Sequence, residues 1–169
     1  LTVEKHGRID ILVNNAGIVH RGSILETSDE DFARVMGVNV DAVFRFSRAA
    51  VKQMVAQFEK NGKGGAIVNI ASDWAFVAGK GELAYCTSKG AIIMLTKAMA
   101  VEWAQYNIQV NAISPGAFPH AWQQADQEFH KRLSAKALLG RIGEPDVVLV
   151  GSGSEVQLCV AAAKQLGAE

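Results

Sequence analysis

Short runs rich in β-branched residues alternate along the chain with long amphipathic stretches: Ile9 to Val13, Asp29 to Glu59, Ala66 to Ile70, Glu82 to Gln105 and Ile108 to Ile113. This rhythm predicts strand, helix, strand, helix, strand. Ile11-Leu12-Val13 and Ala66-Ile67-Val68 are apolar without alternation, so both faces of these strands are expected to be buried. The class that follows is α/β, a doubly wound parallel sheet between helical layers. Thr27, with Glu30 three residues on, predicts a capping box ahead of the first long helix, and Asn61-Gly62 predicts its end, with Gly64-Gly65 before the next strand. In the second helix Ile92, Ile93, Met94, Leu95, Met99, Val101 and Trp103 take up most of the circumference. Such a helix is expected to be covered twice, either deep in its own domain or with its outer face packed on a second subunit, two readings that do not exclude each other.

Composition narrows the function classes. With 169 residues, 49% of them apolar and 20% charged, the chain can build one ordinary core, and disorder is excluded. Lys plus Arg equals Asp plus Glu at 17 each, which leaves no positive surplus for nucleic acid or an anionic membrane. Cys86 and Cys159 lie too far apart for a metal pattern, and His6, His20, His120 and His130 show no ligand spacing, so no metal is expected. No apolar run reaches the roughly 18 to 20 residues of a membrane span. Lys5, Arg8 and Asp10 interrupt the start too early for a signal sequence, so a soluble protein of the reducing cytoplasm is expected.

The strongest local chemistry is Tyr85-Cys86-Thr87-Ser88-Lys89, preceded by Ser72 just past a strand. Residues four apart stack on one helix face, which places the Lys89 ammonium near the Tyr85 phenol. A neighbouring cation favours phenolate and would bring the tyrosine toward the range of a working acid and base. Ser72, at the carboxyl edge of a parallel sheet, faces the crevice where such sheets bind ligands. Asn14-Asn15-Ala16-Gly17 follows the first strand directly, and Ser114-Pro115-Gly116 follows the last. Asn39, between Val38 and Val40 in the first long helix, needs a buried partner.

Together these residues resemble the short-chain dehydrogenase/reductase family, over residues 1 to about 145. The family's Asp-x-x-x-Asn-Asn-Ala-Gly stands as Asp10 through Gly17, its helical Asn as Asn39, its Ser as Ser72, and its Tyr-x-x-x-Lys as Tyr85 and Lys89. Pro115-Gly116 matches the turn beside the nicotinamide, and Leu139 through Pro145 a segment past the substrate loop. The resemblance implies a Rossmann-like fold and a cofactor, NAD or NADP. It implies interconversion of a small-molecule alcohol and ketone, with Asn39, Ser72, Tyr85 and Lys89 as the catalytic set. In that set Tyr85 exchanges the proton, Ser72 polarises the substrate oxygen, Lys89 holds the ribose and lowers the Tyr85 pKa, and Asn39 anchors a proton-relaying water. Asn15, Tyr85, Lys89, Gly116 and Phe118 would contact the cofactor, and the long helices would build a homo-oligomer, dimer or tetramer. Asp73, Trp74, Phe76, Phe118 and Trp122 are the expected pocket lining.

Three departures from the family bear on function. The glycine-rich phosphate loop does not stand upstream of Asn14, so the chain is expected to be N-terminally truncated, with the residue that selects NAD or NADP missing. A bare edge on the first strand and little or no turnover by this chain alone would follow. His120 replaces the Thr common after Pro-Gly. The tail from Asp146, with a strand at 147 to 150, the turn Gly151-Ser152-Gly153-Ser154 and a helix from Glu155, resembles the opening of the transketolase carboxyl-terminal domain. Residues 1–145 and 146–169 are therefore expected to be pieces of different origin. The alternative to an enzyme is a non-catalytic fragment or chimera that folds and self-associates through its long helices.

Overall fold

A computed structural model describes residues 2–116 and 127–135, which fall into two units, 1–115 and 116–169. The first unit holds a three-stranded parallel sheet in the order β1 (Ile11–Asn14), β2 (Gly65–Ile70), β3 (Ile108–Ile113). Its helices are α1 (Thr2–His6), α2 (Asp29–Met36), α3 (Ala42–Asn61) and α4 (Leu83–Trp103). The second unit contributes one described helix, α5 (Gln127–Ser134).

Register explains which strand residues are covered. Leu12 pairs with Ile67, which pairs with Val110, and one pleat on Asn14, Asn69 and Ala112 share a row. This face meets the core formed by Ala50, Val51 and Met54 of α3 and Met99 of α4. In α3 the buried positions Val43, Ser47, Ala50, Val51, Met54 and Gln57 make a single stripe, the pattern of a helix laid on a sheet. The opposite face carries Ile11 and Val13, which are 67% and 55% exposed, opposite Ala66 and Val68. The expected burial of β1 on both faces is therefore not met: its outward residues lie away from the described core. Gln57 also fixes the entry to β1, accepting from the Ile9 amide at 2.7 Å and donating to the Ile9 carbonyl at 2.8 Å.

The long first helix is also interrupted. Between α2 and α3 the backbone widens into a π-helical segment, Gly37–Asp41, with Asn39 at its centre. Such segments often mark functional sites. The cap of α2 is Ser28, one residue beyond the expected Thr27. Its hydroxyl accepts from the Asp31 amide at 3.0 Å, whereas the Thr27 hydroxyl turns back to the Ser23 carbonyl at 2.9 Å. Gly62 closes α3 as expected, with φ of 71° in the left-handed region and its amide on the Phe58 carbonyl.

Candidate active site

β2 ends at Ile70, but pairing with the β3 side continues beyond it. The Ala71 amide donates to Ile113 at 2.7 Å and the Asp73 amide to Pro115 at 3.0 Å, which pins Ser72 between two backbone ties. Ser72 is buried and caps a short 3-10 turn, Asp73–Ala75. Its hydroxyl donates to Asp73 Oδ1 at 3.0 Å and accepts from the Trp74 amide at 3.2 Å. The Trp74 indole then lies against Gly79, where an added Cβ would stand 1.9 Å from the ring, so the return toward α4 has room for glycine alone.

Tyr85 sits in the first turn of α4 and Lys89 in the second. The Ser72 hydroxyl stands near enough to the Tyr85 phenol to act on its titration. Lys89 is buried at 5% exposure; its Nζ donates to the Ile70 carbonyl at 2.7 Å and lies 5.7 Å from the Tyr85 ring centroid. The three side chains expected to work together are thus brought together, and Lys89 points inward.

Their electrostatics differ from the sequence expectation. Burial pushes the Tyr85 phenol above its ordinary value of 10.0; Ser72 opposes this, and Asp73, Glu82 and Cys86 add to it. Burial likewise pushes Lys89 below 10.5. The net direction for Tyr85 is upward because desolvation dominates, and the Lys89 Nζ is turned to a backbone carbonyl. Helical spacing alone carries no information about burial.

Asn39 finds the partners that its position demanded. Its Oδ1 accepts from the Ile18 amide at 2.8 Å, and its Nδ2 donates to the Ile18 carbonyl and to Ser88 Oγ, each at 2.9 Å. Ser88 in turn donates to the Tyr85 carbonyl at 2.7 Å. Asn39 thus ties the loop after β1 to the turn of α4 that presents Tyr85. Gly17 lies beside both Asn39 and Lys89: a Cβ there would meet Asn39 Oδ1 at 3.4 Å and Lys89 Nζ at 3.5 Å.

Two further ties were not expected from sequence. The Gly22 amide donates to the Gly81 carbonyl at 2.8 Å and Arg21 Nε to Glu82 Oε1 at 3.1 Å, which straps the same loop to the start of α4. Beneath the crevice Asn14 Nδ2 donates to Ser47 at 3.0 Å and to Asn69 Oδ1 at 2.8 Å. Asn69 donates to Thr96 at 2.9 Å, and Thr96 to the Ile92 carbonyl at 2.7 Å. The available signal was polar residues at Asn69 and Thr96 inside otherwise apolar runs.

Asn15 is exposed, Phe76 is 68% exposed, and Gly116 is exposed at the start of the second unit. Phe118, His120, Trp122, the segment Leu139 to Pro145 and the tail from 146 lie outside the described residues. Cys86 is a free, half-buried thiol. Among the described residues no group of side chains could hold a metal ion, and no helix is long and apolar enough to cross a membrane.

Comparison with known proteins agrees with this geometry. The family model described as short chain dehydrogenase matches residues 2–130. The 2-dehydro-3-deoxy-D-gluconate 5-dehydrogenase of Escherichia coli (strain K12) is 42% identical over 146 residues, 85% of this chain and 56% of that protein. The cyclopentanol dehydrogenase of Comamonas sp. (strain NCIMB 9872) is 40% identical over 141 residues, 82% of this chain and 54% of that one. A gluconate 5-dehydrogenase from Burkholderia cenocepacia J2315, solved with NADP and tartrate, superposes with a TM-score of 0.77 at 35% identity, over 95% of this chain and 58% of that one. The chain spans little more than half the length of these relatives. A Rossmann-like parallel sheet, the family's motif residues gathered at its carboxyl edge and a match over most of the first unit have one explanation: the chain belongs to the short-chain dehydrogenase family.

Proposed function

We propose that this protein is an NAD(P)-dependent oxidoreductase that interconverts a small secondary alcohol and its ketone, with Ser72, Tyr85 and Lys89 as working groups and Asn39 as their support. The observation that carries the reading is the gathering of Ser72 and Tyr85 about a buried Lys89, whose Nζ lies 5.7 Å from the Tyr85 ring centroid. The residues present suit a nicotinamide cofactor. Lys89 uses one of three N–H donors on Ile70, leaving two for ribose hydroxyls, and Gly17 keeps the approach to Lys89 and Asn39 clear of a Cβ. When bound, such a cofactor supplies the hydride acceptor or donor. Asn15, Tyr85 and Lys89 would hold it, and the choice between NAD and NADP stays open.

The chain's own side chains do the rest. Ser72 orients the substrate oxygen, and Tyr85 takes or gives the proton there. Tyr85, pressed upward by burial, keeps its proton at neutral pH and so carries the one that a ketone oxygen takes up. The test follows reduced-nicotinamide absorbance with NAD or NADP and a panel of secondary alcohols, alongside calorimetric cofactor binding. Turnover lost in Tyr85→Phe, with cofactor binding weakened in Lys89→Met, is expected; turnover indifferent to Tyr85→Phe overturns the reading.

A second reading, self-association of a non-catalytic chain, is favoured by one observation. Phe44 and Phe46 of α3 and Met94 and Val101 of α4 stay exposed, Val101 at 82%. Sedimentation of the chain tests it: assembly without cofactor binding favours this reading, and assembly with binding makes it a property of the enzyme.

A further inference from the structure

We infer that Asp73 is a specificity-determining residue of this crevice: its carboxylate favours substrates with a hydroxyl or ammonium next to the reacting carbon, and disfavours those with a carboxylate there. The inference rests on the reading that Ser72 and Tyr85 hold the substrate oxygen. Asp73 is fixed at both ends of its short side chain. Its backbone amide is tied to Pro115, and its Oδ1 accepts from Ser72 Oγ at 3.0 Å and from the Trp74 amide at 2.8 Å. Its Oδ2 takes no hydrogen bond from the described residues, so acceptor capacity is left over in a held orientation.

A substrate oxygen must come within about 2.6 to 3.2 Å of the Ser72 hydroxyl. That hydroxyl is 3.0 Å from Asp73, so a substituent one carbon from the reacting centre lies within reach of the carboxylate. The charge of Asp73 is near enough to Tyr85 to help raise the phenol. No cation among the described residues forms an ion pair with it: Arg21 pairs with Glu82, and Lys89 donates to the Ile70 carbonyl. A ligand ammonium or hydroxyl completes the acceptor with a charge-assisted bond, whereas a ligand carboxylate meets like charge.

Three probes sharing one secondary-alcohol frame test this on the full chain: isopropanolamine, propylene glycol and lactate. Titration is followed by the amide resonances of Ser72, Trp74 and Tyr85, which needs neither cofactor nor turnover. The expected order of affinity is isopropanolamine, then propylene glycol, then lactate, with at least about tenfold between first and last. In Asp73→Asn, which keeps an oxygen for Ser72 and Trp74, isopropanolamine weakens by about tenfold or more and the discrimination against lactate disappears. Asp73→Ser provides a second variant with the same expected direction. Lactate binding as well as isopropanolamine in the native chain, or an order unchanged in both variants, overturns the role of Asp73 and leaves the alcohol site standing. If no probe moves these amides, the alcohol site and the role of Asp73 fall together.

Discussion

Two polar clusters lie one above the other at the carboxyl edge of the sheet, and they differ in what they leave unspent. In the lower one, Asn14, Ser47, Asn69 and Thr96 are buried and bonded in series, from β1 through β2 to α4. Both donors of Asn14 are in use, and the Thr96 proton ends on a backbone carbonyl. In the upper one, Lys89 spends one N–H of three, Asp73 keeps an oxygen open, and Tyr85 is only partly covered. A network whose side chains bond one another fixes strands and helices in place; one held on that frame with groups facing the crevice can offer them to a ligand.

The sharpest way to break this contrast is to remove one member from each cluster. Tyr85→Phe takes away a proton that no fold contact requires. Turnover should fall by about 10² to 10⁴-fold with the unfolding midpoint nearly unchanged. Asn69→Ala should do the reverse. It strips Asn14 and Thr96 of a buried partner and should cost about 2 to 3 kcal/mol in urea unfolding. If Asn69→Ala left stability intact, the lower cluster would not be the frame it is taken for.

Titration sharpens the comparison further, because the upper cluster keeps two groups displaced from their ordinary values. Folded Tyr85 keeps its proton above 10.0, where an unfolded phenol loses it, so the native state binds more protons there and stability should fall as pH rises past 10.0. Lys89 behaves oppositely. Folded, it sheds its proton below 10.5 while the unfolded ammonium retains it, so its contribution to stability should rise with pH in the window below 10.5. Unfolding free energy measured against pH should lose the alkaline fall in Tyr85→Phe and the preceding rise in Lys89→Met. The lower cluster contains no titrating group, and Asn69→Ala should leave both slopes in place.

Much of the upper cluster was legible in the sequence because its information is local. Tyr85 and Lys89 are one helical turn apart, Ser72 follows a strand end, and Asn39 advertises itself as a polar residue among apolar ones. The succession of strands and helices follows from the alternation of short apolar runs with amphipathic stretches. What was not legible depends on burial and on long-range pairing. The upward displacement of Tyr85 needs the desolvation that α4 experiences on the sheet. The Asn14 to Asn69 bond needs the β1 and β2 register, which sets residues 55 apart side by side. The π-helical widening at Gly37–Asp41 has no period of its own to read, so 29 to 59 looked like a single helix. The exposed Ile11 and Val13 show the limit of reading burial from composition: an apolar strand states what it would tolerate, while the described core decides which face is covered.

The smallest effect concerns the start of α2, where sequence and structure disagree by one residue. A capping box on Thr27 would engage Glu30; the observed cap engages Ser28 with Asp31, both through the Asp31 amide and through the Ser28 hydroxyl on Asp31 Oδ2 at 3.0 Å. Ser28→Ala should therefore cost about 1 kcal/mol in urea unfolding. Glu30→Ala should cost only a few tenths of about 1 kcal/mol, the share of a carboxylate near a helix N-terminus. Equal losses would restore the Thr27 box. Because α2 leads directly into the segment that carries Asn39, Ser28→Ala should also loosen the Ile18 amide in hydrogen exchange more than Glu30→Ala does, whereas the Asn69 and Thr96 amides should be protected equally in both variants.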